Sequence, residues 1–137
     1  MWTYEHSTDI NASPARIWAL FSDVPGWKHW NAGIEDIRMH GPFAVGTTFT
    51  MKPPGEDAFT STLIEVVAQE VFTDETIIDG TRVVVTHRIL PLAPDRAKVS
   101  YNTRITGPAA EDFGPMVTAD FPDVLRALKR LAEQTTG

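Results

Sequence analysis

The stretch Val71–Thr106, VFTDETIIDGTRVVVTHRILPLAPDRAKVSYNTRIT, decides the architecture. Asp79-Gly80 separates two β-branched runs, which is a strong short-range hairpin signal. In the run that follows, Val83, Val85, His87 and Ile89 face one way, against Arg82, Thr86 and Arg88. After a break over Pro91 through Asp95, Val99, Tyr101, Thr103 and Ile105 face one way, against Lys98, Ser100, Asn102 and Arg104. A strand with one apolar face and one polar face belongs to an antiparallel sheet covered on one side.

Working toward the N-terminus, the chain from Ile34 reads as a continuing meander. Strands are expected at 34–40, 46–52, 58–69, 71–78, 81–91 and 97–106, broken by Gly41-Pro42, Pro53-Pro54-Gly55 and Asp79-Gly80. The 58–69 segment has a mixed phase, with Phe59 and Leu63 on the same face as Ser61 and Glu65. The chain opens with another alternating run, Trp2, Tyr4, His6, Thr8 and Ile10 against Thr3, Glu5, Ser7 and Asp9. Ser13 is a good N-cap and Pro14 suits the first helical position, so a helix should carry Ile17, Trp18, Leu20 and Phe21. It should end near Asp23-Val24-Pro25-Gly26. Trp27-Lys28-His29-Trp30 fits one further helical turn, with its two tryptophans at i and i+3 on one side. Toward the C-terminus, 108–134 reads as a long helix interrupted at Gly114-Pro115 and again at Pro122, because proline removes an intrahelical hydrogen bond. Its last part carries a firm apolar stripe, Val124, Leu125, Leu128, Leu131 and Ala132. The order is strand, helix, helical turn, about six strands, long helix. That is an α+β class, a single domain over 1–137, with the helices covering one sheet face.

Composition narrows the function classes. The chain has 137 residues, 42% hydrophobic and 22% charged, enough for one core. It contains no cysteine, which removes disulfides, thiolate metal sites and thiol nucleophiles together. The formal net charge is −6, without a basic patch, which argues against nucleic acid and against anionic membrane surfaces. The first residues lack the pattern of a secretory leader and no apolar run reaches membrane-spanning length, so membrane insertion is not expected and a cytoplasmic location is. Asn11-Ala12-Ser13 matches a glycosylation sequon, which matters only in a secreted protein. Monomer and homodimer both stay open.

Four stretches in this order resemble the helix-grip, START-like superfamily, in its polyketide cyclase/dehydrase branch. They are Ala12-Ser13-Pro14-Ala15-Arg16-Ile17-Trp18, the segment Asp23 through Trp30, Gly46-Thr47-Thr48-Phe49, and Thr103-Arg104-Ile105-Thr106-Gly107-Pro108. The resemblance spans nearly the whole chain. It implies a helix-grip fold, a curved antiparallel sheet of about seven strands wrapped round a long C-terminal helix, with two short helices after the first strand. It also implies a cavity between sheet and helix that takes a small apolar or amphipathic molecule. Members include cyclases, dehydratases, carriers and sensors, and no catalytic motif runs through the superfamily, so it brings no catalytic residue.

The candidate residues therefore come from the strand phases. His87, on an apolar face, is either a satisfied core histidine, a polar handle on a ligand or an acid/base. Tyr101 and Thr103 share the buried face of the neighbouring strand. A phenol beside an imidazole could polarise a carbonyl, making His87 and Tyr101 the catalytic candidates if the domain is an enzyme. Phe49, Met51 and Val85 are candidate cavity wall. Trp27 and Trp30 either pack over the sheet end or gate the cavity. Phe113, Met116, Val117 and Asp120 sit on the kinked half of the last helix, the natural lid. His6 is expected at an edge or surface, His29 and His40 outside. Metal binding is not expected, since no two histidines share helical i, i+4 spacing and no HExxH occurs. There is no GxSxG nucleophile and no phosphate loop, and nothing calls for a cofactor. The competing possibility is an interaction module whose interior is filled by Trp27, Trp30, Phe113, Met116 and Phe121. A void of roughly 300 Å³ or more would separate the two.

Overall fold

The computed structural model describes residues 1–134. The chain runs β1 Trp2–Ile10, α1 Pro14–Ser22, a 3-10 helix Val24–His29, β2 Asp36–Met39, β3 Thr48–Lys52, β4 Phe59–Val67, β5 Val71–Ile78, β6 Thr81–Ala93, β7 Arg96–Thr106, α2 Ala110–Thr118 and α3 Phe121–Glu133. The strands form one curved antiparallel sheet in the order β1-β7-β6-β5-β4-β3-β2, with the bent C-terminal helix pair on one face. This is the helix-grip fold.

Local chemistry explains most boundaries. The Ser13 Oγ accepts from the Arg16 N–H at 3.1 Å and Pro14 occupies the first turn of α1. Asp79 and Gly80 have φ of 50° and 79°, the geometry of a tight hairpin turn, and they set Ile78 opposite Thr81. The mixed phase of 58–69 has a structural cause. Ser61 and Leu63 point inward, and a register shift between Leu63 and Glu65 then turns the strand over, setting Glu65 opposite Thr73 on the outer face and Val66 opposite Phe72 on the inner one.

Two boundary expectations need correcting. β6 continues through Pro91 to Ala93 instead of stopping at Pro91. Its pairing with β5 ends at Arg88, so by Pro91 that side of the strand has no ladder bond to lose. The C-terminal helix is not broken at Gly114-Pro115. Both residues lie inside α2, and the break falls at Ala119 and Asp120. Pro122 then sits in the first turn of α3, where its missing N–H costs nothing. Gly114 is there for packing. A Cβ on it would lie 2.3 Å from the Trp2 ring, so the absence of a side chain lets α2 close over β1.

The core is continuous from α1 to α3. Phe21 is fully buried and touches the rings of Trp30, Phe72, His87 and Tyr101. Leu125 and Leu128 anchor α3 from the other side, both fully buried. No helix among the described residues is long and apolar enough to cross a membrane.

Candidate functional site

Between the sheet and α2–α3 the fold leaves a cavity of about 700 Å³. Trp27, Trp30, Phe113, Met116 and Phe121 line this space and leave it open, so the interior is not self-filled. Met116 (68% exposed) and the exposed Pro54, Glu56, Asp57 and Ala58 form its mouth, between α2 and the β3–β4 connection. Its inner end lies on β5, β6 and β7.

Register fixes that inner end. Phe72 pairs with His87, Asp74 with Val85, Thr76 with Val83, and His87 with Tyr101. The residues of all four pairs face the cavity. The His87 ring lies flat on the Phe72 ring at 3.9 Å between centroids and meets Tyr101 edge-on at 4.5 Å. Its Nδ1 lies 3.1 Å from the Phe72 carbonyl oxygen. A carbonyl only accepts, so Nδ1 carries the proton and Nε2 presents a lone pair to the cavity. The nearest acid is Asp74, whose Oδ2 is 3.9 Å from Nε2, too far for a direct hydrogen bond. Ser61 and Thr76 hydrogen-bond each other and are satisfied.

Burial governs the charges. It raises the Asp74 carboxyl to about 7 and lowers His87 to about 3, the Phe72 carbonyl opposing the second shift in part. Both move toward their neutral forms, as desolvation requires. Tyr101 is pushed up by burial and then by the Asp74 and Asp120 carboxyls. Burial raises Asp120 as well. The group poised near neutrality is therefore Asp74, on a strand whose phase the sequence left unread.

Most sequence candidates meet at this cavity. Trp27, Trp30, Phe49, Met51, Val85, His87, Tyr101, Phe113, Met116, Val117 and Asp120 all line it. The two tryptophans are also core, with Trp27 Nε1 donating to the Phe21 carbonyl at 2.8 Å. Thr103 is the exception. It is fully buried outside the lining, between Tyr4 on β1 and Val85 on β6, and its hydroxyl has no partner among the described residues. Alternation gave its buried face correctly but could not show that it lies outside the cavity lining. His6 is half-buried on β1, stacked beside Tyr4, and His29 and His40 are exposed. The residues missed on β5 were Phe72, Asp74, Thr76 and Ile78. The Asp79-Gly80 hairpin was the available signal, since counting back from it places Asp74 opposite Val85.

Solved structures share this architecture. Truncated norcoclaurine synthase from Thalictrum flavum superposes with a TM-score of 0.76 at 20% identity, covering 98% of this chain and 95% of that one. A START superfamily protein from Mycobacterium smegmatis gives 0.77 at 14% identity, covering 96% and 97%. The ZhuI aromatase/cyclase from a Streptomyces species gives 0.78 at 16% identity, covering 96% and 93%. At these identities the likeness is one of fold. Comparison with curated proteins gave no match. The family model described as polyketide cyclase/dehydrase and lipid transport matches residues 1–133. With the sheet, the bent helix and the cavity in place, the chain belongs to that polyketide cyclase/dehydrase and lipid transport family.

Proposed function

We propose that this protein binds one small amphipathic molecule inside the cavity, apolar body against the aromatic wall and polar end against Asp74, His87 and Tyr101. The observation that carries the reading is the cavity itself. At about 700 Å³ it falls within the range of small-molecule sites, and its polar groups converge at one end of an otherwise apolar lining. A self-contained interaction module would have no reason to keep such a space open, since unfilled interior volume is destabilising. The test is saturable binding of an apolar fluorescent dye. The wild type should bind about one dye per chain. Val85→Trp, from the β6 wall, and Met51→Trp, from the β3 wall, should each remove most of that binding while the chain stays folded. Undiminished dye binding in both variants would place the dye elsewhere and remove this support.

A second reading is favoured by one specific observation, the near-neutral Asp74 carboxyl at the inner end. A carboxyl poised there can take and return a proton at physiological pH. In this reading Asp74 is the acid/base, the Tyr101 hydroxyl steadies charge developing on a carbonyl oxygen, and His87 Nε2 accepts a hydrogen bond that orients the bound molecule. The acid/base role thus passes from His87 to Asp74, because burial leaves the imidazole too weak a base near neutrality.

A further inference from the structure

The charged residues lining the cavity are all of one sign. Four carboxyl groups contribute, Glu56 and Asp57 at the mouth, the half-buried Asp120 and, at the inner end, Asp74. Among the described lining residues there is no lysine and no arginine. An anionic head group, such as a fatty acid carboxylate, would enter without a counter-charge.

The polar atoms at the inner end are also unpaired within the protein. Tyr101 is 3% exposed, and its hydroxyl makes no hydrogen bond among the described residues. His87 is 8% exposed, its Nδ1 is taken by the Phe72 carbonyl, and its Nε2 has no partner within hydrogen-bond distance. The Asp74 carboxyl, with its side chain 15% exposed, likewise lacks one. These three face the cavity, where only water or a bound molecule can satisfy them, so a ligand that fills the inner end has to match them. What they have in common is the capacity to accept. Nε2 offers a lone pair, the carboxylate offers several, and the phenol oxygen accepts as well as donates.

We propose that the natural ligand is an amphiphile whose polar end is a protonated amine, donating to Asp74, His87 Nε2 and the Tyr101 hydroxyl, with its body among the cavity's aromatic rings. A primary ammonium has three donors, matching three acceptors, and its charge is countered by Asp74. This inference rests on the binding reading above, and the two can fail separately.

The test uses dodecylamine, dodecanol and dodecanoate, matched in chain and differing in head group. Each displaces the fluorescent dye at about pH 8 and about 0.15 M salt, where the general attraction of a −6 protein for cations is screened. The amine, with a basicity like that of lysine, is protonated there. It should bind at least about tenfold tighter than dodecanol and dodecanoate, from charge-assisted hydrogen bonds alone. In Asp74→Asn that preference, read as the ratio of amine to alcohol affinity, should shrink to about threefold or less. Dodecanoate binding as tightly as the amine would overturn the inference and leave the binding reading standing. An amine preference that survives Asp74→Asn would overturn the assignment of the ammonium to the inner end. Failure of all three amphiphiles to displace the dye would overturn both readings.

Discussion

Asp74→Asn should make the ligand-free protein more stable at pH 8, by up to about 4 kcal/mol, and leave stability near pH 4 almost unchanged. Burial raises the folded-state carboxyl from 3.8 to about 7. In the unfolded chain it ionises near its ordinary value. Between about pH 4 and pH 7 unfolding therefore releases a proton, and stability falls as pH rises through that window. Above pH 7 both states are ionised, and the full cost of burying the charge is present. The amide carries no charge at any of these pH values, so the cost disappears. The groups facing Asp74 do not offset it. His87 on β6 is held neutral by its own burial, Tyr101 on β7 is pushed further from ionisation, and Asp120 at the α2–α3 junction has the same sign. For a chain of this size the change corresponds to a rise in Tm of about 10 °C or more. Urea titrations of both proteins at pH 4 and pH 8 measure it. Equal stability at pH 8, or a less stable variant, would show that Asp74 is not held against its ionisation.

On the acid/base reading proposed above, the same substitution should disable proton transfer. β-Tetralone, a neutral aryl ketone small enough for the cavity, exchanges the hydrogens beside its carbonyl through an enolate. In the cavity Asp74 would take that proton, the Tyr101 hydroxyl would donate to the carbonyl oxygen as charge builds there, and a deuteron from solvent would return through Asp74. Deuterium wash-in followed by NMR should fall by about 10²-fold or more in Asp74→Asn, the usual range for loss of a positioned acid/base. Tyr101→Phe should lower it by about 10²-fold, as for loss of one oxyanion donor. His87→Ala should act in the same direction. Wild-type exchange rates in both Asp74→Asn and Tyr101→Phe would remove the acid/base reading and leave binding. A variant that is more stable yet inactive would mark Asp74 as a group kept for function at a cost in stability.

Much of the fold is legible in the sequence because local signals agree with the global one. Ser13-Pro14 starts α1, Asp79-Gly80 makes the hairpin, and the phases of β6 and β7 put Val85, His87 and Tyr101 inward as observed. The Gly114-Pro115 pair misleads because its reason is the Trp2 ring, more than a hundred residues away in the chain. Asp74 stays hidden for a different cause. On β5 the set Phe72, Asp74, Thr76 and Ile78 alternates with Val71, Thr73, Glu75 and Ile77. Each face holds two apolar residues, one threonine and one acid, so hydropathy alone cannot say which is wet. Only the hairpin register breaks the tie, and it selects the face that buries a carboxyl. The place where pattern reasoning is evenly balanced is also the place where the candidate chemistry sits.

The central claim, that the cavity is a binding site, is tested most directly by native mass spectrometry of freshly purified protein, followed by identification of whatever dissociates. The expected result is a stoichiometric adduct of one small amphipathic molecule, absent from Val85→Trp. A wild-type protein that carries no adduct, and acquires none when offered dodecylamine, dodecanol or dodecanoate, would contradict it.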